Sequence, residues 1–127
     1  MPNLSHKNLE VYKLSLLMVK EIYQQTKQYP PEERFTLVSQ LRRAAISVSS
    51  NIAEGCSRIS KKEKRRFYEI SRSSMVEIDT QLEISLLLEY ISMNQIVSLE
   101  KLNESIFRML SKMIGNLEMN APLAQPH

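Results

Sequence analysis

The chain has 127 residues, enough for one domain around one hydrophobic core. Its 2 glycines are too few for a Rossmann crevice, a phosphate loop or a turn-rich β-sandwich, all of which need several residues at positive φ. What remains, with 43% hydrophobic and 24% charged residues, seven Met and a mild net charge of +3, fits a nearly all-helical domain. Cys56 stands alone and cannot close an internal disulfide, so a cytoplasmic protein is expected. His6, Lys7, Glu10, Lys13 and Lys20 interrupt the apolar positions of the first 20 residues, which is wrong for a signal peptide. No apolar run approaches the roughly 18–20 residues that span a bilayer, so no membrane partner is expected.

Four helical segments follow in chain order. The first runs from about Leu9 to Tyr29 and stops at Pro30-Pro31. Pro31 suits the first turn of a second helix, with Glu32 and Glu33 complementing its dipole. Leu37, Leu41, Ala44, Val48 and Ile52 carry that helix to Glu54, with Gly55 expected as its left-handed cap. Ser60 and Glu63 form a capping-box pattern opening a third helix, which Phe67, Ile70, Ser74, Ile78, Leu82 and Ser85 carry toward Tyr90. Ser92 and Gln95 repeat the pattern for a fourth, carried by Ile96, Leu99, Leu102, Ile106, Met109, Met113 and Leu117. Residues 1–118 then form a single domain and 119–127 a frayed tail. Four amphipathic helices with short connections predict an all-α, antiparallel up-and-down four-helix bundle.

Several helices are apolar on two sides. Val76, Thr80, Ile84 and Leu87 form a second stripe on the third helix, and these are the expected oligomer interface. The first helix has Val11, Met18 and Ile22 on one side and Tyr12, Leu16, Val19 and Tyr23 on another. Ile46 and Ala53 lie off the main stripe of the second. Stripes of this kind predict a homo-oligomer.

Gln40, Arg43, Ser47, Asn51 and Glu54 fall within an arc of about 80° on the second helix, beside the small residues Ala44, Ala45, Ser50 and Ala53. A hydrogen-bond network that fixes helix register explains this polar stripe better than a catalytic site, because no nucleophile or acid–base partner accompanies it.

The same segment, Ser-Gln-Leu-Arg-Arg-Ala-Ala-Ile-Ser-Val-Ser-Ser-Asn-Ile-Ala-Glu-Gly over 39–55, resembles the signature of the four-helix-bundle proteins encoded in intervening sequences of bacterial large-subunit ribosomal RNA genes. The similarity extends to Tyr29-Pro30 and Glu33, to Ser60, Lys61 and Glu63, and to Gln81-Leu82-Glu83, with the run Asn51 to Gly55 its most specific part. Cys56-Ser57-Arg58 after the glycine departs from the pattern. The resemblance implies a ring-like homopentamer without enzymatic activity. It also implies kinship with the accessory variability proteins of diversity-generating retroelements, which associate with a reverse transcriptase and nucleic acid. A nucleic-acid-processing protein therefore joins RNA, DNA and the chain itself among the partners expected.

Arg58, Lys61, Lys62, Lys64, Arg65 and Arg66 place six cations within nine residues, offset only by Glu63. Residues 31–72 hold a net charge of +5 and the remainder −2, so the small total conceals a polarised chain. Lys61 and Lys62 fall in the first turn of the third helix, where the dipole disfavours cations by about 0.3–1 kcal/mol each. Phosphate contacts would justify that placement, and these six are the candidate nucleic-acid-binding residues. Phe67 on the core stripe and Tyr68 close to it offer no clear base-stacking platform. The third helix is also too long for a recognition helix.

Enzyme chemistry finds no footing. His6 and His127 lie near the termini, which removes di-iron ligand pairs, a His-based zinc site and a Ser-His or Cys-His nucleophile. No metal or cofactor is expected. Cys56, just after a helix C-terminus, is expected to be inert. The competing reading is an assembly module that docks a partner protein, its charges serving only solubility.

Overall fold

The computed structural model describes residues 1–119, so the expected tail lies almost wholly outside the described residues. A short 3-10 turn at Ser5–Asn8 precedes α1 (Glu10–Thr26), and a second at Pro31–Glu33 precedes α2 (Leu37–Ser57). Then come α3 (Lys61–Leu87) and α4 (Met93–Met119), with no strand among the described residues. α1 and α3 each pack against both α2 and α4, while neither diagonal pair touches. Short connections between successive antiparallel helices produce this closed order. Among the described residues no helix is long and apolar enough to cross a membrane.

The core follows from periodicity. Met18 and Ile22 of α1, Leu41, Val48 and Ile52 of α2, Ile78 and Leu82 of α3, and Ile96, Leu99, Ile106 and Leu110 of α4 are buried. At about 1.5–3 kcal/mol for each large apolar side chain, this interior is the main force holding the helices together. Serines pass between the helices where the backbones approach: Ser15 Oγ lies 2.8 Å from Ser49 Oγ, and Ser71 Oγ donates to the Val48 carbonyl at 2.9 Å.

Several expectations need correction, beginning with α1, which ends at Thr26 rather than Tyr29. Pro31 does not open α2. Its 3-10 turn is separate, and the chain breaks at Thr36 (φ −120°, ψ −99°), whose hydroxyl donates to the Glu33 carboxylate at 2.6 Å. Such local side-chain bonds compete with helix continuation.

Gly55 is not a left-handed cap. No glycine has positive φ, and α2 runs on to Ser57. Residue 55 is small because a Cβ there would meet Tyr68 Cε1 at 2.6 Å and Cδ1 at 2.8 Å.

The start of α3 is rotated from the expected stripe. Tyr68 and Ser71 are buried, whereas Phe67 is half-buried and Ile70 exposed, because the gap at Gly55 admits the Tyr68 ring. α3 also ends at Leu87 rather than Tyr90, turning through Glu89 at φ +62°.

Both expected caps form in half. Ser60 Oγ accepts from the Glu63 amide at 3.1 Å, and the Ser92 amide donates to Gln95 Oε1 at 2.8 Å.

Candidate nucleic-acid interface

The turn between α2 and α3 spans residues 58–60 and brings the predicted cations to one end of the molecule. They do not all do the same work. Arg58 pairs with Glu54 at 2.9 Å, Arg66 approaches Glu63 at 3.8 Å, and Arg65 approaches Glu69 and Glu118 at 4.0 and 3.8 Å. These are partly exposed pairs, each weak in itself, that set four carboxylates beside the six cations and leave a small positive excess at this end.

Lys64 is structural. Its ammonium donates to the Cys56 carbonyl at 2.9 Å and the Gly55 carbonyl at 3.4 Å, closing the last turn of α2 where the dipole is negative. Lys61 and Lys62 are exposed in the first turn of α3.

Phe67, like Ile70, lies off the core stripe that periodicity gave it. The Arg58 and Arg66 guanidinium carbons lie 4.8 and 5.0 Å from its ring centroid. Contacts of this kind orient both arginines at the surface. The available signal was an aromatic residue directly after a cation run. Ile59, at the tip of the turn, is 97% exposed.

The polar stripe of α2 divides. Ser47 and Gln40 reach the α2–α3 seam, where Ser74 Oγ donates to Ser47 Oγ at 2.9 Å and Gln81 Nε2 donates to Gln40 Oε1 at 3.3 Å, while Asn51 Nδ2 bonds within α2 to the Ser47 carbonyl at 2.8 Å. Glu54 points to the basic turn through Arg58, while Arg43 lines a groove beside α1.

Cys56 lies inside the last turn of α2 rather than after it, half-buried, with its sulfur 3.7 Å from Ser5 Oγ. His6 packs edge-on against Tyr12 at 4.7 Å. Among the described residues no group of three His, Cys, Asp or Glu side chains could hold a metal ion.

The profile of the 23S rRNA-intervening sequence protein family matches residues 7–112. The chain belongs to that family. The matched span contains all four helices apart from the last turns of α4, and it includes the basic turn and the polar stripe. A similar solved structure is a protein of unknown function from the S23 ribosomal protein family of Bacteroides thetaiotaomicron. It shares 24% identity and a TM-score of 0.76, over 83% of this chain and 95% of that one. This likeness supports the four-helix fold of the family member described here. No curated protein matches the chain.

Proposed function

We propose that this chain is a non-enzymatic, cytoplasmic four-helix-bundle protein that self-assembles, as a pentameric ring, and binds RNA or DNA backbone through its basic α2–α3 turn. The observation that carries the nucleic-acid reading is the placement of Lys61 and Lys62 in the first turn of α3 beside the Arg58–Phe67–Arg66 cluster. A solvated helix start favours acids, and phosphate is the ligand class for which exposed lysines and ring-seated arginines are suited together. Assembly would repeat the patch around a ring and multiply its field. The family's association with ribosomal RNA genes supports the same reading.

Electrophoretic mobility shifts with duplex RNA and DNA at two salt concentrations test it. Binding weakens steeply as salt rises, because counterion release supplies most of the affinity. Changing Lys61, Lys62, Arg65 and Arg66 to Glu abolishes it, while Lys64 is left in place to keep α2 closed. Equal binding by wild type and this variant, or none by either, sinks the proposal.

A second reading is a module that docks a partner protein, and the fully displayed Ile59 favours it. Recovery of a partner after nuclease treatment supports that reading, and loss of every partner on nuclease treatment opposes it.

A further inference from the structure

Two grooves on the molecule carry opposite charge. One lies between α1 and the start of α2, lined by Tyr23, Arg34, Phe35, Arg42, Arg43 and Ile46, and encloses about 470 Å³. Every charged side chain that lines it is a cation. Phe35 is 84% exposed, with the Arg34 guanidinium 5.4 Å from its ring, and Ile46 is exposed beside it. Leu16, on the same apolar side of α1 as Tyr23, is exposed as well.

The other groove lies between α3 and α4, lined by Val76, Asp79, Glu100, Asn103, Glu104 and Phe107, and encloses about 410 Å³. Every charged side chain that lines it is an acid. Val76 and Phe107 are exposed at its edges, and the Thr80, Ile84 and Leu87 positions extend the Val76 stripe. Asn103 is 9% exposed, and neither its amide nitrogen nor its oxygen has a partner among the described residues. A buried amide left unpaired is destabilising, so this groove is unfinished as it stands. Partial burial of Glu100, and then repulsion from Asp79 and Glu104, hold its carboxyl above the usual carboxylate range. Arg108 reaches Glu104 at 3.8 Å, but that pair is largely exposed and weak.

The placement of the grooves matters as much as their charge. α1 and α3 do not touch, nor do α2 and α4, so the α1–α2 and α3–α4 sides are opposite sides of the molecule. Resting on the self-assembly reading above, we infer that the cationic α1–α2 groove of one copy seats on the acidic α3–α4 groove of the next. The occupant is a second copy because one surface supplies cations and exposed apolar side chains where the other supplies carboxylates, exposed apolar side chains and an unpaired amide. The two halves differ, so the contact is head-to-tail, and its repetition closes a ring or continues as a filament. An isologous dimer would instead set cation against cation, or acid against acid.

Two single variants at exposed positions test the pairing. Ile46→Glu puts an acid into the cationic groove, and Val76→Lys puts a cation into the acidic one. Light scattering coupled to size exclusion at micromolar concentration should give an assembly for wild type and the monomer mass for each variant. Mixed in equal amounts, the two variants should give twice the chain mass and nothing larger, because each retains the groove that the other lacks. Recovery on mixing also shows that both variants are folded. A monomeric wild type overturns the self-assembly reading together with this inference. A wild type that assembles alongside variants of unchanged size overturns the pairing alone. Variants that are monomeric and remain so on mixing overturn it as well.

Discussion

The ring of Tyr68 lies directly against the backbone of Gly55, so that a β-carbon on residue 55 would sit 2.6 Å from Cε1 and 3.2 Å from the Phe67 β-carbon. α2 and α3 are locked at this point by the absence of a side chain. Replacing Gly55 by Ala gains about 1 kcal/mol of helix propensity but forces a buried ring out of place, at about 1–3 kcal/mol. Gly55→Val has the clash without that full propensity gain. Thermal unfolding should place Gly55→Val well below wild type and Gly55→Ala at or below it. A Gly55→Val variant as stable as wild type would remove the close-approach role.

Ser71 makes a similar contact without glycine. It is fully buried and donates to the Val48 carbonyl across the α2–α3 seam. Ser71→Ala should cost about 0.5–1.5 kcal/mol, the worth of one hydrogen bond. Ser71→Leu should cost more, because the added methylenes have nowhere to go. Urea denaturation of the two variants checks the order. The reverse order would mean that the seam is loosely packed.

Lys64 and Lys62 should separate stability from binding. Lys64 closes the end of α2, so Lys64→Ala should lower stability by about 0.3–1 kcal/mol and leave nucleic-acid affinity nearly unchanged. Lys62→Glu, in the exposed first turn of α3, should weaken binding and flatten its salt dependence with little effect on melting. Parallel melts and mobility shifts read both effects. Equal loss of binding in the two variants would place Lys64 in the interface.

Stability should depend on pH at both extremes. Burial, and then electrostatic repulsion from Cys56, push the Tyr68 phenol up to about 12. The unfolded chain releases this proton near pH 10. Stability is therefore retained below pH 10 and falls as pH rises toward 12, where only the unfolded form readily ionises. On the acid side, hydrogen bonds from Thr36 and Tyr90 hold the Glu33 carboxyl below its ordinary value. Its contribution is present above the ordinary carboxylate value and is lost as pH falls below that value and through the lowered one of the folded chain. Tyr68→Phe should flatten the alkaline limb and Tyr90→Phe the acid one, as followed by unfolding across pH.

The parts of this fold that could be read in the sequence are those where one residue decides. Ser60 and Ser92 mark helix starts because their patterns satisfy otherwise unpaired amides, and both starts stand where expected. The family signature over 39–55 marks a helix that is now seen as the seam with α3. Errors arose where two elements decide together. Gly55 reads as a terminator alone, and only the Tyr68 ring explains why it sits inside a helix. Phe67 fits the apolar period as well as Tyr68 does, and the space at Gly55 breaks the tie. The placement of a cationic and an acidic groove on opposite sides of the molecule follows from the packing order of the helices, which periodicity does not supply.

That packing order has a kinetic consequence. Each helix docks beside the next one in the chain, and α2 and α3, separated by three residues, share the most extensive helix contact. Contacts between successive elements close small loops and form quickly, whereas the α1–α4 pairing must wait for the whole chain. The α2–α3 hairpin, with Gly55, Ser71 and Lys64 at its seam, is therefore the natural nucleus, and docking of α1 against α4 completes the molecule. Both surface grooves are finished only when their two helices have met. Each groove lies between successive helices, so it is complete once its own helix pair has met, before α1 and α4 dock.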